Sequence, residues 1–260
     1  RTYKLPIKKD SVYKLVLEYW QGEGKANVAL RAGNFKRTDF DEVANKVKDA
    51  DVIIYAGGIS PQLEGEEMPV NAPGFNGGDR TSILFPAVQQ KLLKTLKATG
   101  KPVVFVMLTG SAIAIPWENE NIPAIINAWY GGQSAGKAIA DVLFGDYNPS
   151  AKLPMSFPHT EGQIPIYYNY YKTGRPATSD TDRFYRSAYI DLSIYPKFPF
   201  GFGLSYTTFS YSGIQLSDST ITSSKAIKAE VTVTNTGNYD GEETVQLYIE
   251  DVVGSVVRPV

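Results

Sequence analysis

Three glutamates crowd one short loop in the first half of the chain. Residues 63–68 carry Glu64, Glu66 and Glu67 directly after the apolar run 51–56, which is typical of a buried strand. In an open α/β sheet, ligands bind outside the carboxyl ends of the strands. A carboxylate there, with a pKa raised by apolar walls or like-charged neighbours, suits general acid/base chemistry. A solvated acidic loop is the alternative, and position and composition alone do not choose between the two.

A second motif could carry a nucleophile. Residues 132–136 match the pattern G-x-S-x-G around Ser134, between a predicted strand and a predicted helix, as in serine hydrolases. The single histidine, His159, follows closely, but no further strand–helix unit separates the two to supply the acid, and no oxyanion segment of the HGGG type is present. We therefore expect Ser134 to cap a helix, with its flanking glycines allowing close backbone approach.

The remaining chemistry-bearing residues exclude several classes of site. The chain has no cysteine, which excludes disulfides, thiolate metal sites and a cysteine nucleophile, and one histidine argues against a histidine-rich metal site. The glycine pairs at 57–58 and 77–78 form neither a dinucleotide fingerprint nor a P-loop. A net charge of −1 gives no reason to expect nucleic acid, and no apolar run reaches membrane-span length.

The elements that must position these residues alternate between helix and strand. Phe40, Val43, Ala44 and Val47 have helical spacing behind Asp39 and Glu42, which predict the helix start. Further helices are predicted from Pro86 to Gly100, with Val88, Leu92, Leu93 and Leu96 on the apolar face, and over 134–144. Strands are predicted over 51–56, 103–108 and 124–129. Because the strands are nearly all apolar, we expect an α/β domain with a parallel sheet covered on both faces.

The two ends of the chain have β-type patterns. Alternating residues over 11–32, with a turn at 21–24, predict a hairpin. Residues 159–203 are irregular and rich in Tyr, Pro, Gly and Asp. Alternation returns from Phe209, with strands predicted around 229–234 and 244–249 as the first half of a β-sandwich. The chain begins within strand-like sequence and shows no terminating pattern at 258–260, so we expect it to be part of a longer protein.

Three segments in one order are more specific than any motif above. They are residues 63–67 with Gly78-Asp79-Arg80, residues 144–158, and Tyr195-Pro196 followed by residues 200–207. Together they resemble the carboxy-terminal part of a glycoside hydrolase family 3 enzyme of the β-glucosidase/β-xylosidase type. Residues 1–34 resemble, over a shorter match, the closing strands of a protective-antigen-type β-sandwich that some members carry.

The resemblance implies a division of the chain. Residues 1–34 would be the end of the inserted sandwich and 35–158 an α/β sandwich domain with the acid/base loop. Residues 159–208 would be an irregular connection, and 209–260 the start of an incomplete fibronectin-III-like sandwich. In this family an N-terminal (β/α)8 barrel supplies the aspartate nucleophile, and no segment of this chain takes its place.

The resemblance also implies roles. Glu66 aligns with the acid/base residue, with Glu64 and Glu67 as alternatives. Asp79 and Arg80 could form an ion pair that holds the loop in place, with a surface turn as the alternative. The reaction would be exo-acting, retaining hydrolysis of terminal β-linked sugars. The form of the loop over 58–66 is closer to that of β-xylosidases than of β-glucosidases. No metal or organic cofactor is implied.

The expected partners are an oligosaccharide substrate and the N-terminal barrel of the same protein, with no nucleic acid and no membrane. A homodimer stays open, and export to the periplasm or medium is implied by the family only. The tyrosine-rich stretch 166–189 would either lie at the rim of the active site or pack between domains. Two other functions remain open: a serine hydrolase using Ser134 and His159, and a non-catalytic carbohydrate-binding module.

Overall fold

The computed structural model describes residues 6–25, 28, 37–169 and 174–254, and the chain divides into two compact units, Arg1–Thr38 and Asp39–Val260. In the first unit the described residues 6–25 contain no strand. The predicted first strand of the hairpin therefore has no ladder here, since a strand is defined by its pairing. Most of the second strand, over 26–32, lies outside the described residues, so the hairpin and the inserted sandwich are not confirmed.

The second unit contains all the regular elements of the described residues. In chain order they are α1 (Phe40–Val47), β1 (Ile53–Gly58), β2 (Phe75–Asn76), β3 (Asp79–Arg80), α2 (Ala87–Lys97), β4 (Val103–Leu108), α3 (Pro116–Asn121), β5 (Ala124–Asn127), α4 (Ala135–Phe144), a 3-10 turn (Glu161–Gln163), β6 (Phe209–Tyr211), β7 (Gln215–Leu216), β8 (Ala229–Glu230) and β9 (Val233–Asn235).

A parallel sheet of order β1-β4-β5 forms the centre of this unit. β4 pairs with both neighbours, so that Tyr55, Phe105 and Ile125 lie side by side across the sheet. α2 and α3 lie in the crossovers from β1 to β4 and from β4 to β5, as parallel neighbours require. The predicted parallel α/β arrangement is confirmed, although α3 and the short hairpin β2-β3 were not predicted.

One face of the sheet is packed much more completely than the other. Phe105 is fully buried and contacts the rings of Tyr55 and Phe85, while Leu93 and Leu96 of α2 join the same core. On the opposite face Ile54 is 48% exposed, and Ala56 and Ala124 are also exposed. The prediction that both faces are covered is therefore wrong for β1 and the start of β5 among the described residues, because edge strands have fewer neighbours to pack against.

The helices begin and end close to the predicted positions. Asp39 caps α1, with its carboxylate accepting hydrogen bonds from the backbone N–H groups of Asp41 and Glu42. Gly145 ends α4 in the left-handed region with φ of 83°, which favours glycine. The spacing predicted Val88 on the apolar face of α2. This prediction is wrong, because Val88 is 66% exposed.

The irregular segment after α4 is organised around Gln163, which is fully buried. Its side chain accepts a hydrogen bond from His159 N (2.7 Å) and donates to the carbonyl oxygens of Ser193 and Tyr195 (2.9 and 2.8 Å). Tyr189 donates from its hydroxyl to the Gln163 carbonyl (2.9 Å). One buried amide therefore fixes a long stretch that lacks regular secondary structure, because its polar atoms need partners away from water.

The C-terminal β region forms two short antiparallel ladders, β6-β9 and β7-β8. The strand predicted over 244–249 is wrong, since these described residues carry no strand. Their side chains instead attach to the α/β part: Thr244 donates to the Ser150 carbonyl (3.0 Å) and Gln246 to the Gly201 carbonyl (3.1 Å). The apolar members of the alternation, Val245, Leu247 and Ile249, are exposed, and the backbone has no ladder partner among the described residues.

Candidate active site

The loops that follow β1, β4 and β5 meet at the carboxyl edge of the sheet, where α/β folds bind ligands. Just after β1, Ile59 donates its N–H to the Leu108 carbonyl at the end of β4 (2.8 Å). After β5, the Tyr130 hydroxyl donates to the Ile59 carbonyl (2.7 Å). After β4, the Ser111 hydroxyl donates to Glu64 Oε1 (2.8 Å). The segment from Ile59 to Glu64, which leads into the acidic loop, is thus joined to both neighbouring loops.

Gly58, the last residue of β1, is held by α2. Gln89 Nε2 donates to the Gly58 carbonyl (2.6 Å), and Gly58 N donates back to Gln89 Oε1 (2.8 Å). Tyr55 also donates to the same Oε1 (3.0 Å). Gly58 has φ of 143°, and a Cβ there would overlap the Leu108 carbonyl, so only glycine fits.

The far side of the acidic loop is held by the hairpin β2-β3. Its two central residues, Gly77 and Gly78, have φ of 62° and 95°, as a type I′ turn requires. Met68 donates its N–H to the Gly77 carbonyl (2.8 Å). Gly78 lies directly against Gly65, where an added Cβ would overlap the Gly65 carbonyl. Gly78 therefore allows close backbone packing of the turn against the loop that carries the glutamates.

Arg80 lies under the loop but does not pair with Asp79 as proposed from the sequence. Its guanidinium donates to the Ser82 carbonyl from Nε and Nη2 (3.2 and 3.0 Å) and, from Nη1, to Ser111 Oγ (3.1 Å) and the Ala112 carbonyl (3.3 Å). Neighbouring strand residues point to opposite faces, so Asp79 is exposed while Arg80 turns inward. The predicted ion pair between Arg80 and Asp79 is therefore wrong. The contacts of Arg80 agree with the expectation that it holds this region.

The electrostatics of this region centre on Arg80 and Glu64. Burial lowers the pKa of Arg80 from its ordinary value, and the negative charges of Glu64 and Glu161 partly oppose that shift. Burial also raises the pKa of Tyr130, and the charge of Glu64 adds to the increase. The charge of Glu64 thus raises the pKa of both polar neighbours, Arg80 and Tyr130.

The three glutamates have different surroundings. An open cleft of about 430 Å³ is lined by Glu64, Gly65, Glu66, Gly78, Asp79, Arg80, Ile83, Ser111 and Ala112, but not by Glu67. Glu64 is half-buried and bound to Ser111. Glu66 is exposed and has no hydrogen-bond or ion-pair partner among the described residues. A carboxylate that faces a cleft without a partner is free to exchange a proton with a bound molecule.

Two residues of this site were not singled out from the sequence. Ser111 and Tyr130 follow the ends of β4 and β5, and that position was the available signal, since loops at this edge of a sheet converge. Glu161 is a further contributor, as its Oε1 accepts the N–H of Ile83 at the wall of the cleft (3.1 Å). Glu161 is distant in sequence from the loop, so no local pattern indicated it.

Ser134 and His159 do not form a hydrolase site in the described residues. Ser134 is exposed, has an unstrained backbone (φ −97°, ψ 14°), and makes no hydrogen bond with His159. A nucleophile elbow places its serine on a sharp, strained turn. Ser134 does stand at the N-cap of α4, but its hydroxyl makes no capping bond, and a Cβ at Gly132 or Gly136 would meet open space. The expected hydroxyl cap and close approach are therefore wrong.

The surroundings of His159 are those of a structural residue. Burial lowers the pKa of His159, with the positive charge of Lys197 adding to the decrease and Asp180 opposing it.

The tyrosine-rich stretch makes packing contacts near both of its ends. Tyr168 stacks on Phe200 at 4.3 Å and meets Tyr248 edge-on at 6.3 Å. Tyr189 is bonded to the 3-10 turn that also supplies Glu161 to the cleft wall.

Metal-binding clusters and membrane-spanning helices are both absent from the described ranges. No cluster of three or more His, Asp or Glu side chains there could hold a metal ion. None of the helices in these ranges has the length and apolar character that crossing a membrane requires.

Comparison with known proteins places these features in a family. The Glycosyl hydrolase family 3 C-terminal domain matches residues 7–206. A periplasmic beta-glucosidase of Salmonella typhimurium is 44% identical over 85% of this chain and 28% of its own length. A xylan 1,4-beta-xylosidase of Xylanibacter ruminicola is 47% identical over 90% of the chain and 25% of its own.

A solved structure agrees with these relatives. The crystal structure of a beta-glucosidase from Listeria innocua in complex with glucose superposes with a TM-score of 0.76 at 35% identity, covering 87% of this chain and 30% of that one. The chain thus spans only about a quarter to a third of the length of the relatives it matches. The chain belongs to glycoside hydrolase family 3, whose C-terminal domain it contains.

Proposed function

We propose that this chain is the acid/base-bearing part of an exo-acting, retaining β-glycosidase that removes terminal sugars from β-linked oligosaccharides, with Glu66 as the acid/base. The observation that carries the assignment is that Glu66 lines the cleft as an exposed carboxylate without a described partner. Glu64 is already engaged with Ser111, and Glu67 does not line the cleft.

In the proposed reaction Glu66 protonates the glycosidic oxygen as the leaving group departs, and then removes a proton from the attacking water. Retention requires a second carboxylate about 5–5.5 Å away that attacks the sugar as nucleophile. That nucleophile would come from an N-terminal barrel of the same protein. The open cleft at the sheet edge is suited to this arrangement, because a facing domain could close over it.

Three finer proposals accompany the reaction. A preference for β-xylosides rests on the form of the loop over residues 58–66, and the relatives carry both β-glucosidase and β-xylosidase names. Export is supported by the periplasmic relative from Salmonella typhimurium. A fibronectin-III-like start is proposed for residues 209–260, where two antiparallel ladders are present.

The test uses the complete enzyme with Glu66→Gly, assayed on an aryl β-xyloside and an aryl β-glucoside with and without azide. Loss of a general acid/base lowers the rate by about 10²–10⁴-fold. Azide attacks the glycosyl-enzyme without base help, so it should restore turnover on a substrate with a good leaving group and yield a β-glycosyl azide. The ratio of kcat/KM between the two substrates ranks the sugars.

Glu67→Gly is the matched control, because Glu67 is also exposed on the same loop and its φ of 48° suits glycine. It should keep nearly normal activity. Near-normal activity of Glu66→Gly would refute the assignment. A complete enzyme that binds β-linked oligosaccharides but hydrolyses none of them would instead favour a carbohydrate-binding module.

A further inference from the structure

Glu64 and Glu66 are two residues apart, but only Glu64 is fixed by the rest of the fold. Ser111 Oγ accepts a hydrogen bond from Arg80 Nη1 (3.1 Å), so its single proton is available for Glu64 Oε1 (2.8 Å). The direction of both bonds is thereby set, and position 64 must supply an acceptor. Hydrogen bonds that involve charged groups are stronger than neutral ones, which favours a carboxylate here.

Arg80 makes this chain of bonds rigid. Its remaining N–H groups donate to main-chain carbonyls of Ser82 and Ala112, which belong to different segments. The hydroxyl that holds Glu64 is therefore attached to the exit of β3 as well as to the loop after β4. Glu64 is also bound through its backbone, since its N–H donates to the Ser60 carbonyl (3.1 Å).

The residue between the two glutamates transmits this restraint. Gly65 lies against Gly78: a Cβ at Gly78 would overlap the Gly65 carbonyl, and one at Gly65 would displace the Met68 side chain. Glu64 is bound to Ser111, and the carbonyl of Gly65 lies against Gly78. The backbone that leads from these two residues to Glu66 therefore has little freedom. A displacement of about 1 Å in a reacting group can cost 10²-fold in rate.

We propose that Glu64 is a positioning residue that sets the place of Glu66 through Ser111 and Arg80, an inference that rests on the proposed function. It exchanges no proton with substrate. Its task is to accept the Ser111 hydrogen bond and so hold the first half of the acidic loop against the loop after β4.

The test compares Glu64→Ala, Glu64→Gln and Ser111→Ala with Glu66→Ala and Glu66→Gln in the complete enzyme. Glutamine keeps an acceptor oxygen, so Glu64→Gln should retain activity within roughly fivefold, while Glu64→Ala and Ser111→Ala lower kcat by roughly ten- to a hundredfold. Glutamine cannot protonate a leaving group, so Glu66→Gln should be as impaired as Glu66→Ala. Azide should restore Glu66→Ala and not Glu64→Ala.

Two further measurements separate positioning from general damage. The double variant Glu64→Ala/Ser111→Ala should be no slower than Glu64→Ala alone, because both remove one interaction and their effects are not additive. The melting temperature of each variant shows whether it folds. Ser111→Ala, which removes only a hydroxyl, provides the test if Glu64→Ala does not fold.

The contrary outcomes are distinct. Normal activity of Glu64→Ala and Ser111→Ala would overturn the positioning role and leave the proposed function standing. Azide rescue of Glu64→Ala, with Glu66→Ala active, would make Glu64 the acid/base and overturn the inference. A complete wild-type enzyme without activity on either aryl glycoside would overturn the proposed function, and the positioning role with it.

Discussion

Two turns follow strands of the same parallel sheet, and their candidate catalytic side chains differ in their contacts. The acidic loop after β1 is bonded to Ser111 and Tyr130 on the two neighbouring loops. The turn around Ser134, between β5 and α4, matches a hydrolase pattern, yet its serine is exposed and Gly132 and Gly136 face open space. A motif in the right local setting is thus weaker evidence than contacts that converge from several loops.

The sharpest test of this comparison is to disable each turn in the complete enzyme. Glu66→Gln should lower kcat by about 10²–10⁴-fold, because a glutamine cannot exchange the proton. Ser134→Ala should leave kcat/KM within about twofold, because Ser134 is exposed and its hydroxyl makes no capping bond. Steady-state assays on an aryl β-glycoside measure both variants. Labelling of Ser134 by a fluorophosphonate, with loss of activity, would reverse the comparison.

A smaller effect is expected from the backbone that holds the acidic loop. Gly78→Ala places a Cβ onto the Gly65 carbonyl at φ of 95°, so we expect about 1–3 kcal/mol of lost stability. We also expect a loss of roughly tenfold or more in kcat/KM, since the loop must shift. Denaturant unfolding and steady-state kinetics give the two values.

Gly77→Ala is the control for that variant. Gly77 has a positive φ of 62° in the same turn, but the nearest atom to an added Cβ is the Met68 carbonyl oxygen at 3.9 Å. It should lose about 1–2 kcal/mol from the backbone conformation alone and keep most of its activity. Equal kinetic losses in the two variants would mean that contact with Gly65 does not matter.

Two tyrosines allow a finer comparison between the regions. Tyr130 and Tyr206 each donate to a main-chain carbonyl at 2.7 Å, to Ile59 and Val142 respectively, and they are 42% and 48% exposed. Replacing either by Phe should cost about 0.5–1.5 kcal/mol. Only Tyr130→Phe should also lower kcat, by roughly two- to tenfold, because Ile59 leads into the acidic loop. A kinetic loss in Tyr206→Phe of the same size would contradict this distinction.

The smallest effect concerns pH and the strand beneath the cleft. Burial raises the pKa of Tyr55 to about 12, so the folded protein holds this proton more tightly than the unfolded chain does. The associated stability is present below the ordinary tyrosine pKa of about 10 and is lost as pH rises towards 12. Tyr55→Phe should therefore show a shallower decline in the free energy of unfolding between pH 10 and 12, measured by denaturant titration. An unchanged decline would assign alkaline sensitivity to other groups.

Local patterns were sufficient for much of the α/β part. The apolar run 103–108 and the cap at Asp39 identified β4 and α1, because periodicity and capping depend on residues close in sequence. The same patterns failed at residues 244–249 and at Val88. The alternating residues 244–249 form no strand, and the apolar Val88 is exposed to solvent. Both outcomes depend on long-range packing, which the local pattern does not contain.

The sequence by itself determined the family resemblance, the parallel sheet and the location of an acidic loop at its carboxyl edge. Only the tertiary structure decided which glutamate of the cleft is held by Ser111 and which has no described partner, and that Arg80 binds Ser111 instead of pairing with Asp79. The physical reason is distance along the chain. Ser111 lies 47 residues from Glu64 and 31 from Arg80, so their contacts arise only when adjacent parallel strands bring their loops together.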